Sequence, residues 1–444
     1  MKSNGKLSKK GMFVTSDGRN VFLTFVLISS LFLLWGFCNG MIDVMDKHFQ
    51  EELGLTLSQS AWVQFAHYLG YFLMAVPAGW LATRLGYKGG IIVGLLMVAA
   101  GGFWFIPASK IAEFWAFLFG VCLIAAGLTF LETIANPYTT VLGDKKFAAT
   151  RINLAQSCNG IGWIFGPIAG GMFFYGKDAA GKSTGSETLW IPYAGVGVVV
   201  LILALVFYFA SVPDIRAEDE YHLDDASPGI SRSIWLHPHF VMAVFAQFFY
   251  VAAQSGIFSF FINYMTSQTP DIPPAWNAGR ISGWFEKNEV GALSLSDRGA
   301  ANLASFGFVC FLVGRFSGAI LLKRFPAHRI LSLYGILNVL ACLLVFSKLG
   351  WLSVASVFIS YFFMSIMFPT IFALGIHGLG SRAKRASSYI VMAIMGGALL
   401  PKLMGHIADR SDMSRGFIVP LVCFMIVAAY GLLWPQLSRT KTAK

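Results

Sequence analysis

The stretch FWAFLFGVCLIAAGLTFLETIANPYTTVLG, Phe114 to Gly143, decides how the chain is to be read. Its first part, Phe114 to Leu131, carries no charged residue and is long enough to cross a bilayer as a helix. Glu132 then stands inside the same apolar run. A charge at the bilayer centre costs about 2.5–3.5 kcal/mol on insertion scales, so such a group is rarely idle. On a helix, Thr129, Glu132 and Asn136 fall at i−3, i and i+4 and share one face. Pro137 frees a backbone carbonyl nearby, which only protein or cavity water can satisfy. The competing reading is a neutral glutamate hydrogen-bonded to a neighbouring helix.

The rest of the chain repeats the pattern. Its 444 residues are 56% hydrophobic and 12% charged, with a mean hydropathy of +0.65; a soluble domain carries about 25% charge. The apolar residues come in unbroken blocks, which predicts an all-α polytopic membrane protein and excludes a closed barrel with its period of two. Twelve spans are expected, near 21–45, 60–82, 90–108, 113–141, 152–175, 191–212, 239–265, 300–322, 330–347, 351–377, 387–409 and 416–436. The acidic, proline-punctuated stretch PDIRAEDEYHLDDASPGISRS, Pro213 to Ser233, cannot bury a core and divides the spans six and six. The expected organisation is a tail 1–20, a bundle 21–212, a linker 213–238, a bundle 239–436 and a tail 437–444. The loop Gln268 to Arg298 is the long polar one on the opposite side.

The net charge of +11 invites a nucleic-acid reading, but its distribution argues otherwise. With the N-terminal tail in the cytoplasm and the side alternating at each span, roughly two-thirds of the basic residues fall inside, as the positive-inside rule requires. Both termini are therefore expected in the cytoplasm. All six cysteines (Cys38, Cys122, Cys158, Cys310, Cys342, Cys423) lie in apolar runs and read as packing residues. The first apolar run is too long for a signal-peptide core, so no cleaved signal is expected. No phosphate-binding lysine motif and no metal-spaced His or Cys pair occurs, and the expectation is a monomer without cofactor.

Other polar groups stand inside the spans. In WGFCNGMIDVMDKHFQ, Trp35 to Gln50, Asn39 and Asp43 are i, i+4 neighbours, while Asp46 and Lys47 are expected near the outer surface and solvated. Two carboxylates in one partly dry cavity would repel each other and resist ionisation, the property a proton carrier needs. The fifth span steps Asn153, Gln156 and Asn159 along one face, with Trp163 four residues on. Amides beside an indole suit a neutral polyol, although interhelical amide bonds would leave the same pattern. Gln247, Tyr250 and Gln254 form a further stripe that Phe258 continues. Arg315 and Lys402 lie within spans and read as structural, pairing with an acid or snorkelling to water.

Two hinges echo each other. GWLATRLGYK, Gly79 to Lys88, and GAILLKRFPAHR, Gly318 to Arg329, each place a glycine five residues before a basic residue, Arg84 in the first. Paired six-helix halves with this hinge resemble the major facilitator superfamily, although Thr83 stands where its usual acidic residue is found. NGMIDVMDKHFQ, LETIANPYTTVLG, INLAQSCNGIGW, YVAAQSGIFSF, GRFSGAILLKRF and MSIMFPTIFALGI together resemble the L-fucose/proton symporter family of that superfamily, collinearly from about Phe22 to Val427. The resemblance implies a twelve-helix carrier of the bacterial inner membrane that imports a sugar with a proton by alternating access. Its essential carboxylates match Asp43 and Glu132, and its sugar-binding amides match Gln156 and Asn159. Asn39, Asn136, Trp163, Tyr250 and Gln254 complete the expected sugar site, with Arg84 and Arg315 structural or gating. Relatives of the family also move glucose, galactose or N-acetylglucosamine; YVAAQ resembles the fucose-type pattern, whereas many glucose and amino-sugar relatives carry a glutamate where Gln254 stands, which favours L-fucose. Gly40, where the fucose type has a second asparagine, and Lys402, where an apolar residue is expected, depart from the pattern. A drug exporter would prefer a less polar cavity, and a transporter-like sensor a longer tail than Ser438 to Lys444.

Overall fold

Every apolar run anticipated above is helical in the computed structural model, which describes residues 11–15, 18–143, 148–175, 189–213, 234–273, 283–287, 291–322, 324–379 and 383–438. Most of the linker 213–238, much of the loop 268–298 and most of both tails lie outside the described residues. In chain order the helices are α1 (Phe22–Leu53), α2 (Leu57–Ser60), α3 (Trp62–Ile111), α4 (Phe114–Val141), α5 (Ala148–Phe174) and α6 (Trp190–Phe209). After the linker follow α7 (Pro238–Ser259), α8 (Phe261–Gln268), α9 (Asp297–Leu322), α10 (Ala327–Phe346), α11 (Trp351–Met364), α12 (Met367–Ile376), α13 (Ala383–Met392), α14 (Gly396–Arg410), α15 (Met413–Gly416) and α16 (Ile418–Leu437).

Ten helical segments of the described residues are long and apolar enough to cross a membrane. The other two expected spans, 60–82 and 152–175, are helical as well, the second interrupted by polar residues and glycines. α3 is two rods in one: Gly86, at φ 70° and ψ 179°, breaks the helix inside the first basic hinge, where the boundary between two spans was expected. Three expected spans are broken, at Phe260 between α7 and α8, at Ser365 and Ile366 between α11 and α12, and at the 3-10 turn Ala393–Met395 before α14. Broken backbone at membrane depth is tolerated where protein or a cavity satisfies it.

The fold is not helical throughout. Phe285–Lys287 and Leu293–Leu295 pair as a two-stranded antiparallel hairpin in the long polar loop, with Phe285 opposite Leu295. Ile272 bonds its amide to Leu293 O at 3.0 Å, tying the loop's start to the second strand. All six cysteines are free, Cys38, Cys342 and Cys423 buried and the other three partly so.

Packing within the first six spans is closest between α1 and α5. A Cβ on Gly36 would stand 2.0 Å from the Asn159 carbonyl oxygen, and one on Gly40 2.9 Å from Pro167 Cδ and 3.1 Å from the Trp163 carbonyl oxygen. The two backbones touch, as small residues permit in lipid where dispersion and close approach drive association. This contact sets the fifth-span amides against α1.

Candidate transport site

The face of α4 read from the opening stretch is real. Thr129, Glu132, Thr133 and Asn136 line a cavity of about 130 Å³, opposite Tyr68 and Tyr71 of α3 and Ile394 and Met395 from the turn before α14. It is therefore walled by both groups of helices, those before and those after the linker. Asn136 donates to the Glu132 carbonyl at 3.1 Å, and Gln156 donates from α5 to Asn136 Oδ1 at 3.1 Å. Trp35 donates to the Tyr71 hydroxyl at 2.6 Å and fixes that ring at the cavity wall. No hydrogen bond to the Glu132 carboxyl occurs among the described residues, so the competing reading of a glutamate bonded to a neighbouring helix is not what the structure shows.

Asp43 does not share that cavity. It is buried on α1, where Oδ1 accepts from Gln64 Nε2 at 3.0 Å and Oδ2 has no partner. Ser255 of α7 lies 3.5 Å from Gln64 Oε1 and 3.2 Å from the Gly397 carbonyl, extending the chain across to the second group. Two carboxylates in one cavity were expected; the structure places one on the cavity and one in a buried network. Tyr68 stands between them, lining the cavity and within electrostatic reach of Asp43.

Asp46 and Lys47 overturn their reading as solvated. α1 continues to Leu53, and α7 and α8 of the second group cover its last turns. Asp46 is fully buried; Ser259 donates to its Oδ2, and Oδ1 has no partner. Lys47 pairs with Glu51 at 3.1 Å and with Asp297 at 3.8 Å, its side chain 19% exposed. The end of the bundle where α1 finishes and α2 begins, here the distal end, is sealed by further bonds. Gln50 and Asn263 exchange side-chain hydrogen bonds, the Asp409 carboxylate accepts from the Leu57 and Ser58 amides at 2.8 and 2.9 Å, and the Lys402 ammonium sits 4.0 Å from the centre of the Trp62 ring. These hydrogen bonds and ion pairs, with that of Ser255 to Gln64, join the two groups of helices at this end.

The remaining predicted residues divide. Asn159 is buried and donates to the Phe32 carbonyl at 3.3 Å, so in this state it serves the α1–α5 contact. Trp163 packs on Phe308 and Phe258, ring centres 4.8 and 5.7 Å away. Tyr250 is fully buried and donates to the Met364 carbonyl at 3.0 Å, while Gln254 is half-buried on the next turn of α7. Asn39 is buried with Oδ1 unpartnered, and Gln247 with both amide atoms unpartnered. The side chains of Pro137 and Asn153 lie outside the described residues. Arg315 finds no acid among the described residues; it reaches the Ser365 carbonyl at 3.5 Å and lies over Phe311. Arg84 lies over the Trp80 ring at 4.2 Å. No group of residues suited to a metal ion occurs among the described residues. Sequence reasoning passed over Gln64, Tyr68 and Tyr71, although their i, i+4, i+7 spacing puts them on one face of α3.

Comparison with known proteins bears on this geometry. A family model described as Major Facilitator Superfamily matches residues 20–400. The chain is 33% identical to the L-fucose-proton symporter of Escherichia coli, over 93% of each chain. It is 31% identical to a glucose/galactose transporter of Brucella abortus, over 94% of this chain and 96% of that one. Among solved structures it matches the transporter FucP in the outward conformation, with a TM-score of 0.65 and 32% identity over 94% of this chain and 99% of that one.

Proposed function

Because the chain belongs to the major facilitator superfamily, we propose that it is a proton-coupled sugar importer, with L-fucose as its sugar. The halves 21–212 and 239–436, joined by the linker 213–238, rock about the midplane, as paired bundles in such carriers do. The protein works as a monomer in the bacterial inner membrane, with both termini in the cytoplasm and the distal end toward the periplasm. The observation that carries this reading is the Glu132 carboxyl, unpartnered among the described residues on a cavity walled by both groups of helices and lined with amide and phenol groups.

A titratable group without a fixed partner, at the place where the halves meet, couples charge to their separation. Charged, it opposes closure around it; neutral, it does not. Asp43, reached from the distal side when that end opens, takes the proton from the periplasm and links it to the sugar. Glu132 governs its passage inward. Gln156, Asn136, Asn39 and Gln254 offer donors and acceptors for hydroxyl groups, and Trp163 an apolar face for the ring's C–H side. Asn159 joins them when α1 and α5 shift, and Arg84 and Arg315 brace the proximal ends of their halves.

Uptake of labelled L-fucose, glucose, galactose and N-acetylglucosamine into cells expressing the chain tests the substrate. Adding the transported sugar to lightly buffered, de-energised cells should alkalinise the medium; sodium-dependent uptake without a pH change would overturn the coupling. A second reading, transport of glucose or galactose, draws on Gly40: α5 leaves no room there for the second asparagine of the fucose type.

A further inference from the structure

Asp46 stands outside the roles assigned above. It lies one turn beyond Asp43 on the same face of α1, is fully buried, and holds one hydrogen bond, from Ser259 on α7. That bond crosses between the two groups of helices, and the second carboxyl oxygen has no partner. Among the described residues, the groups around it offer no compensating cation. Asp43 stands one turn back, Gln64 faces it from α3, and the Tyr175 and Tyr193 phenols approach from the end of α5 and from α6. Both phenols are turned elsewhere, Tyr175 donating to the Val44 carbonyl and Tyr193 to Met45 sulfur. His48 faces Phe174, Tyr264 of α8 packs on Phe417, and Glu132 of α4 lies in the cavity beside Tyr71. The nearby cation, Lys47, is engaged by Glu51 and Asp297.

We infer that Asp46 is a third proton-binding site, beside Asp43 and Glu132, and that its proton latches the distal end shut. Burying an ionised carboxylate without a cation costs more than one hydroxyl donor returns. The sealed state therefore holds the neutral acid, with Ser259 as its partner on the other half. When the distal end parts, Ser259 withdraws with α7, water reaches Asp46 and the proton is released to the distal side. The sign follows directly: raising the pH on that side favours the ionised acid, and with it the open distal end. Nothing is oxidised or reduced, and the proton passes between the carboxyl and water. The inference rests on the alternating-access reading but not on the identity of the sugar.

The test is a distance measurement on the full chain in lipid nanodiscs, with no sugar present. Spin labels on noncanonical residues at Ile111 and Leu349, both exposed at the distal end, leave the six native cysteines alone. Between about pH 5 and about pH 9, one linked proton changes the closed-to-open ratio by up to about tenfold per pH unit within its titration range. The parent protein should show that opening. Asp46→Asn should open distinctly less with pH than the parent, Asp43 carrying whatever response remains, and Asp46→Leu, neutral and apolar, should do the same if the amide disturbs folding. Ser259→Ala should close less well yet keep a pH response. A parent with no pH response, or neutral variants that open with pH as the parent does, would overturn the latch. Failure of the L-fucose assignment appears only in uptake and leaves this measurement untouched.

Discussion

Gln156 of α5 reaches the side-chain oxygen of Asn136 on α4 at 3.1 Å, and Asn136 in turn holds the Glu132 carbonyl. The amide assigned to the sugar is thus tied, in this state, to the residue one helical turn from the cavity carboxylate. On the proposed reading, sugar hydroxyls that bond Gln156 would compete with Asn136, and binding would be felt at the α4 face. Gln156→Ala removes a donor from a partly dry pocket, which costs about 1–3 kcal/mol. Sugar affinity measured on the purified, folded variant should fall roughly tenfold or more. Unchanged affinity would move the site away from α5.

Asn159 gives a contrasting outcome. Its amide donates to the Phe32 carbonyl, so Asn159→Ala removes a bond between α5 and α1 and leaves that carbonyl only its own helical donor. The variant should lose thermal stability as well as affinity, whereas Gln156→Ala should lose affinity with little change in melting temperature. Thermal unfolding of the two detergent-solubilised variants distinguishes a packing amide from a binding one.

Gly40→Asn would install the residue of the fucose type. A Cβ alone already meets Pro167 and the Trp163 carbonyl, and inserting atoms into a packed contact costs about 1–3 kcal/mol or more. The variant should express poorly or melt lower, and should not transport L-fucose faster. Faster L-fucose uptake by a stable Gly40→Asn protein would mean that α1 and α5 separate during the cycle.

The spans were legible because membrane helices announce themselves in composition, and Gly86 only refines where one rod ends. The α4 face was legible for the same reason: Thr129, Glu132 and Asn136 are local in sequence, and helix geometry alone brings them together. Asp46 was not. Its depth depends on α7 and α8, more than two hundred residues away, and the apolar run of the first span ends near residue 45. Asn159 shows the limit of a polar stripe, since the same spacing serves a cavity or a neighbouring helix. The contact at Gly36 decides between them, and only the packing reveals it.

Asp409 caps α2 from the other group of helices, accepting from the Leu57 and Ser58 amides. Those amides are free donors at a helix start, which a carboxylate satisfies well. Asp409 is exposed, so water replaces part of the lost interaction and about 1 kcal/mol remains. Asp409→Ala should shift the distal ends roughly fivefold toward the open state. Spin-label distances at a fixed pH would register the shift, and an unchanged distribution would leave the cap without a part in closure.

Glu132→Gln tests the reading of the opening stretch. The carboxyl lines the cavity where α4 of one group of helices faces the turn before α14 of the other. Glutamine has nearly the same shape and is permanently neutral. If the proton on Glu132 is what lets the loaded carrier turn over, the variant is fixed in the permissive form. It should bind sugar with nearly the parent's affinity and exchange labelled for unlabelled sugar across proteoliposome membranes. It should not accumulate sugar against a gradient when a proton gradient is imposed, because no proton is then exchanged with either side. Asp43→Asn should also abolish accumulation, with the larger effect on sugar binding, since Asp43 sits in the network of Gln64 and Ser255 that joins the halves. Counterflow and gradient-driven uptake on the same preparation separate the two activities. If Glu132→Gln accumulates sugar as the parent does, the carboxylate is a structural polar group and coupling belongs to the acids of α1.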